Sequence, residues 1–244
     1  MSAKSALLIG GTGAVGKHVL RELVLSKEFT RILEAGRRVT PLDKLPVEAK
    51  DKLEQKVIDF EKIEEAGLAE GKWDVIFITL GSTRAAAGSF AAFEKIDREY
   101  VINAARAAKD SEQRQRVVYL SSGGANSNSP FPYLRSKGLT DNGLASLGYS
   151  DTIIFRPGFL ANAERTQTRI LEAAGGFVTG LLSRFTSSLE IDVGLLGKSI
   201  VRAGYLGSSR LPSEAKAAQE ETPEKAKFTT IGNAGAIKLG TISI

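Results

Sequence analysis

Cysteine is absent from the 244-residue chain, histidine, methionine and tryptophan occur once each, and no apolar run is long. The first absence removes disulfides, thiolate metal sites and cysteine nucleophiles. A single histidine, His18, argues against a multi-histidine metal centre and against a Ser-His-Asp triad. It reads as a surface residue early in the first helix. The longest apolar stretch, Val75 to Leu80, is far too short to cross a bilayer. A first strand starting near Ser5 leaves no room for a cleavable presequence, so none is expected. Excess charge is also lacking: 33 basic against 28 acidic residues give a net charge of +5. No basic patch is interleaved with aromatics, so nucleic acid is not an expected partner. The composition, 42% apolar and 25% charged, is that of an ordinary soluble domain. These features predict a protein kept in a reducing, cytoplasmic setting.

What is present begins with Ser5-Ala6-Leu7-Leu8-Ile9-Gly10-Gly11-Thr12-Gly13-Ala14-Val15-Gly16. A short apolar run ends in a glycine cluster, and Val15, Val19, Leu20 and Leu23 then recur at helical spacing. Such a strand–turn–helix lets backbone N–H groups and the positive helix end approach a pyrophosphate. The glycines fit two registers, Gly11/Gly13/Gly16 and Gly10/Gly13/Gly16. Further strands are expected at Arg31–Ala35, Lys56–Phe60, Trp73–Leu80, Val117–Leu120 and Asp151–Phe155. Helices are expected at 14–26, 61–70, 90–109, 133–147 and 193–206. Residues 40–55 read as a loop, 164–185 as partly helical, and 208–227 as a charged linker or exposed helix. Phe228–Ile231 and Ala236–Ile242 read as a terminal strand or short helix. The alternation predicts an α/β fold with a doubly wound parallel sheet in a single domain, 1–244. Residues 1–160 form its cofactor-binding core, and 161–244 supply the substrate side.

The end of the second strand reads Gly36-Arg37-Arg38. A carboxylate there would bind a ribose 2′-hydroxyl, whereas arginine accommodates a 2′-phosphate. Glu34, the one acid nearby, lies two residues too early. Arg37 and Arg38 therefore predict NADP(H) as the cofactor. In Tyr133-Leu134-Arg135-Ser136-Lys137, phenol and ammonium lie four apart and share a helix face. The neighbouring cation favours phenolate, which suits Tyr133 to exchange a proton with a substrate oxygen while hydride moves. Ser121 and Ser122 end the preceding strand and can hydrogen-bond the same oxygen. Trp73 reads as core.

Together these segments resemble the short-chain dehydrogenase/reductase superfamily in its atypical or extended branch. The marks are GGTGAVG, a strand ending in Ser-Ser, YLRSK, and Arg156-Pro157-Gly158. Within that branch the chain is similar to the Tat-interacting-protein oxidoreductase family and its fungal relatives on the mitochondrial outer surface. Val57–Lys62, Leu80–Gly88, Asp97–Val101, Leu120–Ala125 and Phe155–Gly158 carry that likeness. The resemblance implies a Rossmann fold that binds NADP(H) through Gly10, Gly11, Thr12, Gly13, Ala14, Val15 and Gly16. It implies Asp59 and Phe60 near the adenine, Leu80 and Gly81 along the cofactor, and Arg156, Pro157 and Gly158 at the nicotinamide end. Ser122, Tyr133 and Lys137 become the catalytic set, with Ser121 in reserve and Asn103 helping to order the site. No metal is expected. The implied activity is hydride transfer on a small carbonyl or alcohol substrate. The alternatives are a cofactor-binding regulatory or scaffold protein with little turnover and, ranked last, a sugar-nucleotide epimerase. The implied location is cytoplasmic, peripheral on the mitochondrial outer membrane, without a transmembrane segment.

Overall fold

The computed structural model describes residues 3–162 and 190–242. Its sheet comprises β1 (Lys4–Ile9), β2 (Phe29–Gly36), β3 (Leu53–Val57), β4 (Val75–Ile78), β5 (Arg116–Leu120), β6 (Asp151–Arg156), β9 (Ala218–Glu221) and β10 (Lys227–Gly232). Their spatial order is β3-β2-β1-β4-β5-β6-β10-β9. Every neighbouring pair is parallel except β9 with β10. A separate parallel pair joins β7 (Phe159–Ala161) to β8 (Glu190–Asp192). The chain winds outward from β1 to β3, then crosses back to β4 on the other side of β1. The direction of winding reverses between β1 and β4, where open α/β sheets present a crevice at their carboxyl ends.

Alternation along the strands divides the core in two. Ala6 and Leu8 face α1 (Gly16–Leu25), α6 (Val193–Leu206) and α7 (Asn233–Thr241). Leu7 and Ile9 face α4 (Tyr100–Ala108), α5 (Pro132–Ala145) and the turns 60–71. Strands buried on both faces need continuous apolar runs, and Val75–Ile78 is fully buried. Trp73 is core, its indole N–H donating to the Leu68 carbonyl at 2.8 Å.

Some expected elements move. β3 lies at Leu53–Val57 rather than Lys56–Phe60, because Ile58 and Phe60 are buried by the turn after the strand. Its first residues come out of the expected 40–55 loop, which also holds 3₁₀ turns at Leu42–Lys44 and Val47–Asp51. Residues 61–70 are not one helix. A kink at Lys62 and a left-handed Gly67 (φ 58°) break them into the 3₁₀ turns Phe60–Ala66 and Leu68–Gly71. The 90–109 helix exists but carries a π turn, Lys95–Glu99, between α3 (Phe90–Glu94) and α4. The 208–227 segment holds 3₁₀ turns at Ser208–Arg210 and Ser213–Ala215, followed by β9, in place of a helix. Phe228–Ile231 lies within β10, and Ala236–Ile242 mostly within α7. The expected helical stretch 164–185 falls outside the described residues.

Helix α6 lies against the sheet through Gly204. A Cβ there would collide with the Phe77 ring, with Val75 Cγ1 only 3.3 Å away. Overpacking a rigid core typically costs about 1–3 kcal/mol. Gly204→Ala should lower unfolding stability by that order in urea melts, and an unchanged midpoint would show that the helix can shift.

Candidate active site at the sheet reversal

The glycine turn occupies the crevice between β1 and β4. Gly10 adopts φ +94°, and a Cβ on it would stand 2.6 Å from the Leu80 nitrogen. A Cβ on Gly16 would collide with the Gly10 carbonyl, and one on Gly13 would lie 3.2 Å from the same oxygen. That carbonyl also accepts the Gly13 N–H at 3.0 Å and the Thr79 hydroxyl at 3.1 Å. The Gly10/Gly13/Gly16 register is therefore the one the packing demands. Gly11 is constrained differently, since its Cβ would run into the Glu34 carboxylate. Thr12 is exposed and Ala14 half-buried, while Val15 packs into the core. Helix α1 has neither a side-chain cap nor an acid in its first turn, so its amide end suits an anion. A backbone cradle closed to side chains fits the pyrophosphate of a dinucleotide.

At the end of β2, Arg37 and Arg38 are exposed, with no ion-pair or hydrogen-bond partner among the described residues. Glu34 is fully buried and turned inward. It accepts the Thr40 N–H at 3.0 Å, the Thr40 hydroxyl at 2.7 Å and the Gln55 amide at 2.7 Å. The carboxylate thus ties down the loop after the arginines, leaving their guanidinium groups as the strand end's outward-facing charge. Asp59 is exposed and caps the next turn, its Oδ1 accepting the Glu61 N–H at 2.9 Å. Phe60 is buried and stacks on Tyr100, ring centroids 5.2 Å apart. Leu80 is half-buried and Gly81 exposed.

Helix α5 starts at Pro132, whose missing N–H costs nothing at a first helical position. It carries Tyr133, Lys137 and Asp141 in one stripe. Tyr133 is half-buried, its ring 5.5 Å from that of Phe93. Lys137 is buried, with its ammonium 2.5 Å from Asp97 Oδ2 and donating to the Tyr119 hydroxyl at 3.2 Å. The other Asp97 oxygen accepts the Ser82 N–H at 2.8 Å. A Cβ on Gly81 would lie 3.0 Å from Asp97 and 3.8 Å from the Lys137 nitrogen, so this pair sits directly behind the loop following β4. Burial is the strongest single influence and opposes the lysine's charge, but Asp97 together with the Tyr119 and Tyr133 phenols outweighs it, and Lys137 holds its proton more tightly than a free lysine. Burial likewise makes the Tyr119 phenol hold its proton more tightly, which keeps it neutral.

Of the two serines, Ser122 is half-exposed, with only a 3.4 Å contact to the Gly123 carbonyl. Ser121 is buried on the side of Asp141. The Asp141 carboxyl is pushed up to about 6 by burial, against the opposing pull of Arg156, Ser121 and Lys137. Arg156 does not reach out of the sheet. Its guanidinium donates to Asp141 at 2.9 Å and to both Glu220 oxygens at 2.8 and 3.0 Å. The 156–158 turn is fixed through its backbone: the Pro157 carbonyl accepts the Gly123 N–H at 2.7 Å, and the Gly158 N–H donates to Asn233 at 2.9 Å. Asn103 stands apart from Lys137, accepting from Arg106 at 2.6 Å beside a cleft that Phe60 and Lys95 also line. His18 is packed between α1 and α6, its Cβ 2.8 Å from where a Cβ on Gly197 would stand.

Asp97 and Asp141 were not singled out from the sequence, although both carried a signal. Asp97 interrupts the buried stripe Phe93, Val101, Ala104, Ala108, where an unpaired acid would be costly. Asp141 extends the Tyr133–Lys137 spacing by one more turn.

A parallel sheet that reverses at a glycine turn, with tyrosine and lysine on the helix after β5, defines a dinucleotide-binding protein. The chain belongs to the NAD(P)H-binding domain family, which matches residues 10–185. It is similar to "Protein fmp52, mitochondrial" of Emericella nidulans, 36% identical over 209 residues, covering 81% of this chain and 85% of that one. "Protein HTATIP2" of Rattus norvegicus is 35% identical over 169 residues, covering 69% and 67%. Among solved structures, the fold is shared with the carbonyl reductase Sniffer of D. melanogaster (TM-score 0.58, 17% identity, 85% and 94% covered). A short-chain dehydrogenase/reductase of Saccharomyces cerevisiae gives a TM-score of 0.60 at 16% identity, with 83% and 90% covered. Among the described residues, no helix is long and apolar enough to cross a membrane.

The raised Asp141 carboxyl has a linkage consequence. Its folded value lies above the ordinary 3.8, so the native state binds this proton more tightly than the unfolded chain. That stabilisation is complete below about pH 4 and lost as pH rises through about 6. Relative to Asp141→Asn, the wild type should lose on the order of 3 kcal/mol across that window in urea melts. Parallel curves would show that the carboxyl titrates like a free one.

Proposed function

We propose that this protein is an NADP(H)-dependent oxidoreductase of the short-chain type acting on a carbonyl/alcohol pair. The observation that carries this reading is the placement of Tyr133 and Lys137 one helical turn apart on α5, with Lys137 kept cationic immediately behind Gly81. The backbone of Gly10 to Gly16 would hold the pyrophosphate, and Arg37 and Arg38 the 2′-phosphate through charge-assisted hydrogen bonds. Asp59 and Phe60 would border the adenine, Leu80 and Gly81 the middle of the cofactor, and the 156–158 backbone its nicotinamide end. Bound NADPH supplies the hydride. Tyr133 gives its phenolic proton to the carbonyl oxygen and takes it back in the reverse direction. Ser122 donates a hydrogen bond to the same oxygen, and the Lys137 ammonium stabilises the phenolate left behind. The word mitochondrial in the names of the fungal relatives supports a mitochondrial association, and a peripheral place on the outer surface belongs to the same proposal.

One observation favours a second reading, an NADP(H)-binding regulatory protein with little turnover. Lys137 is already paired with Asp97, which offsets part of the field that would favour phenolate. A panel of carbonyl substrates with NADPH separates the two. Tyr133→Phe should cut turnover by about 10²–10⁴-fold while NADPH still binds as in the wild type, followed by nicotinamide fluorescence. Unchanged turnover in this variant removes the proposed mechanism, and tight NADPH binding with no turnover on any carbonyl supports the regulator. Arg37→Ala with Arg38→Ala should weaken NADPH by about tenfold or more and leave NADH unaffected. Equal losses for both cofactors would refute the assignment of the 2′-phosphate.

A further inference from the structure

The Lys137 ammonium has lost its water. It lies in a pocket made by Asp97 on the π turn, Tyr119 on β5, and Tyr133 and Asp141 on its own helix, with Arg156 of β6 beyond Asp141. Asp141 is already committed to Arg156 at 2.9 Å, and Tyr119 is neutral. Among the described residues, Asp97 is thus the one anion in direct contact with the ammonium, at 2.5 Å, and the two side chains are 1% and 6% exposed. The carboxylate is itself fixed from behind by the Ser82 N–H at 2.8 Å. Ser82 directly follows the Leu80–Gly81 loop, so the pair is tied to the wall of the cofactor crevice.

We propose that Asp97 is the positioning residue of this site, holding Lys137 in place and keeping it charged in a pocket too dry for an unpaired cation. The inference rests on Lys137 being part of the working site. A buried ammonium without a partner gives up its proton rather than remain charged. In its neutral form Lys137 would no longer support a phenolate at Tyr133 and could pivot away from the crevice. Asn103, on the next helical turns, cannot take this role, since its side chain is engaged by Arg106.

The test follows the proton on Lys137 directly, by NMR of the lysine side-chain resonances in the full-length protein without cofactor. Lys137→Met identifies the signal. In the wild type the ammonium should stay protonated beyond pH 10. In Asp97→Asn its proton affinity should fall on the order of a hundredfold or more, bringing the titration toward neutral pH. A lysine still charged beyond pH 10 in that variant would overturn the proposal. Thermal melts at pH 8 provide a readout that tolerates weak folding. Asp97→Asn should melt below the wild type, and Asp97→Asn with Lys137→Met should recover part of the loss, because the second change removes the buried amine left without its partner. Additive losses would count against it. Turnover should fall with rising pH in Asp97→Asn through the new lysine midpoint, while Asp97→Glu keeps the wild-type profile. A rate lowered equally at every pH would reduce Asp97 to a structural part. Undiminished turnover in Tyr133→Phe would defeat the oxidoreductase reading, yet it leaves the lysine titration and the melts to judge Asp97 independently.

Discussion

The close approach of three backbone segments at the sheet reversal is the constraint on which the molecule depends. β1 must end, turn and feed α1 within van der Waals reach of the strand that follows it in space, and the Gly10 carbonyl is the meeting point. Gly13 and Thr79 donate to it and Gly16 lies over it. Any side chain at Gly10 or Gly16 would separate α1 from β4, and with it the helix amides from the crevice. The crevice is thus open to a ligand because its walls are backbone. Side chains that act on a ligand must come from elsewhere.

They come chiefly from α5, which is anchored by charge at two levels. Near its start, Lys137 pairs with Asp97 and reaches Tyr119; one turn later, Asp141 pairs with Arg156, which extends to Glu220. Breaking such a buried pair from one side typically costs about 3–5 kcal/mol, because it leaves a charge unmatched. The helix therefore cannot rotate or slide without stranding an ion. Hydrophobic contacts alone would tolerate small shifts, whereas these pairs hold Tyr133 in one register against β5.

How much of this was legible in the chain depended on burial. Val75–Ile78, Arg116–Leu120 and Asp151–Arg156 are central strands whose apolar runs have no other use, and they stand where the sequence pointed. β3 is an edge strand, with Glu54, Lys56 and Val57 exposed. Its pattern was masked by Ile58 and Phe60, which belong to the following turn, and the expected strand slid toward them. The glycine turn and the Tyr133–Lys137 spacing were readable because local geometry dictates them. Asp97 was not, since its partner lies 40 residues away on another helix, and only the folded chain shows that the acid in an apolar stripe faces a lysine. Arg156 was assigned by the resemblance alone, and only the folded chain shows its guanidinium engaged by Asp141 and Glu220.

The clasp between Arg156 and Glu220 acts on a strand at the margin of the sheet. β9 is four residues long, antiparallel to its neighbour, and ends in Glu220 and Glu221, with Lys225 and Lys227 close to the latter. At the opposite margin, β3 presents Glu54, paired with Arg31, and Lys56. Free strand edges invite main-chain pairing with other molecules, and charged side chains on short strands are how natural sheets resist it. Among the described residues, both margins of the eight-stranded sheet are blunted in that way. Crowded copies of this chain gain little by stacking edge to edge.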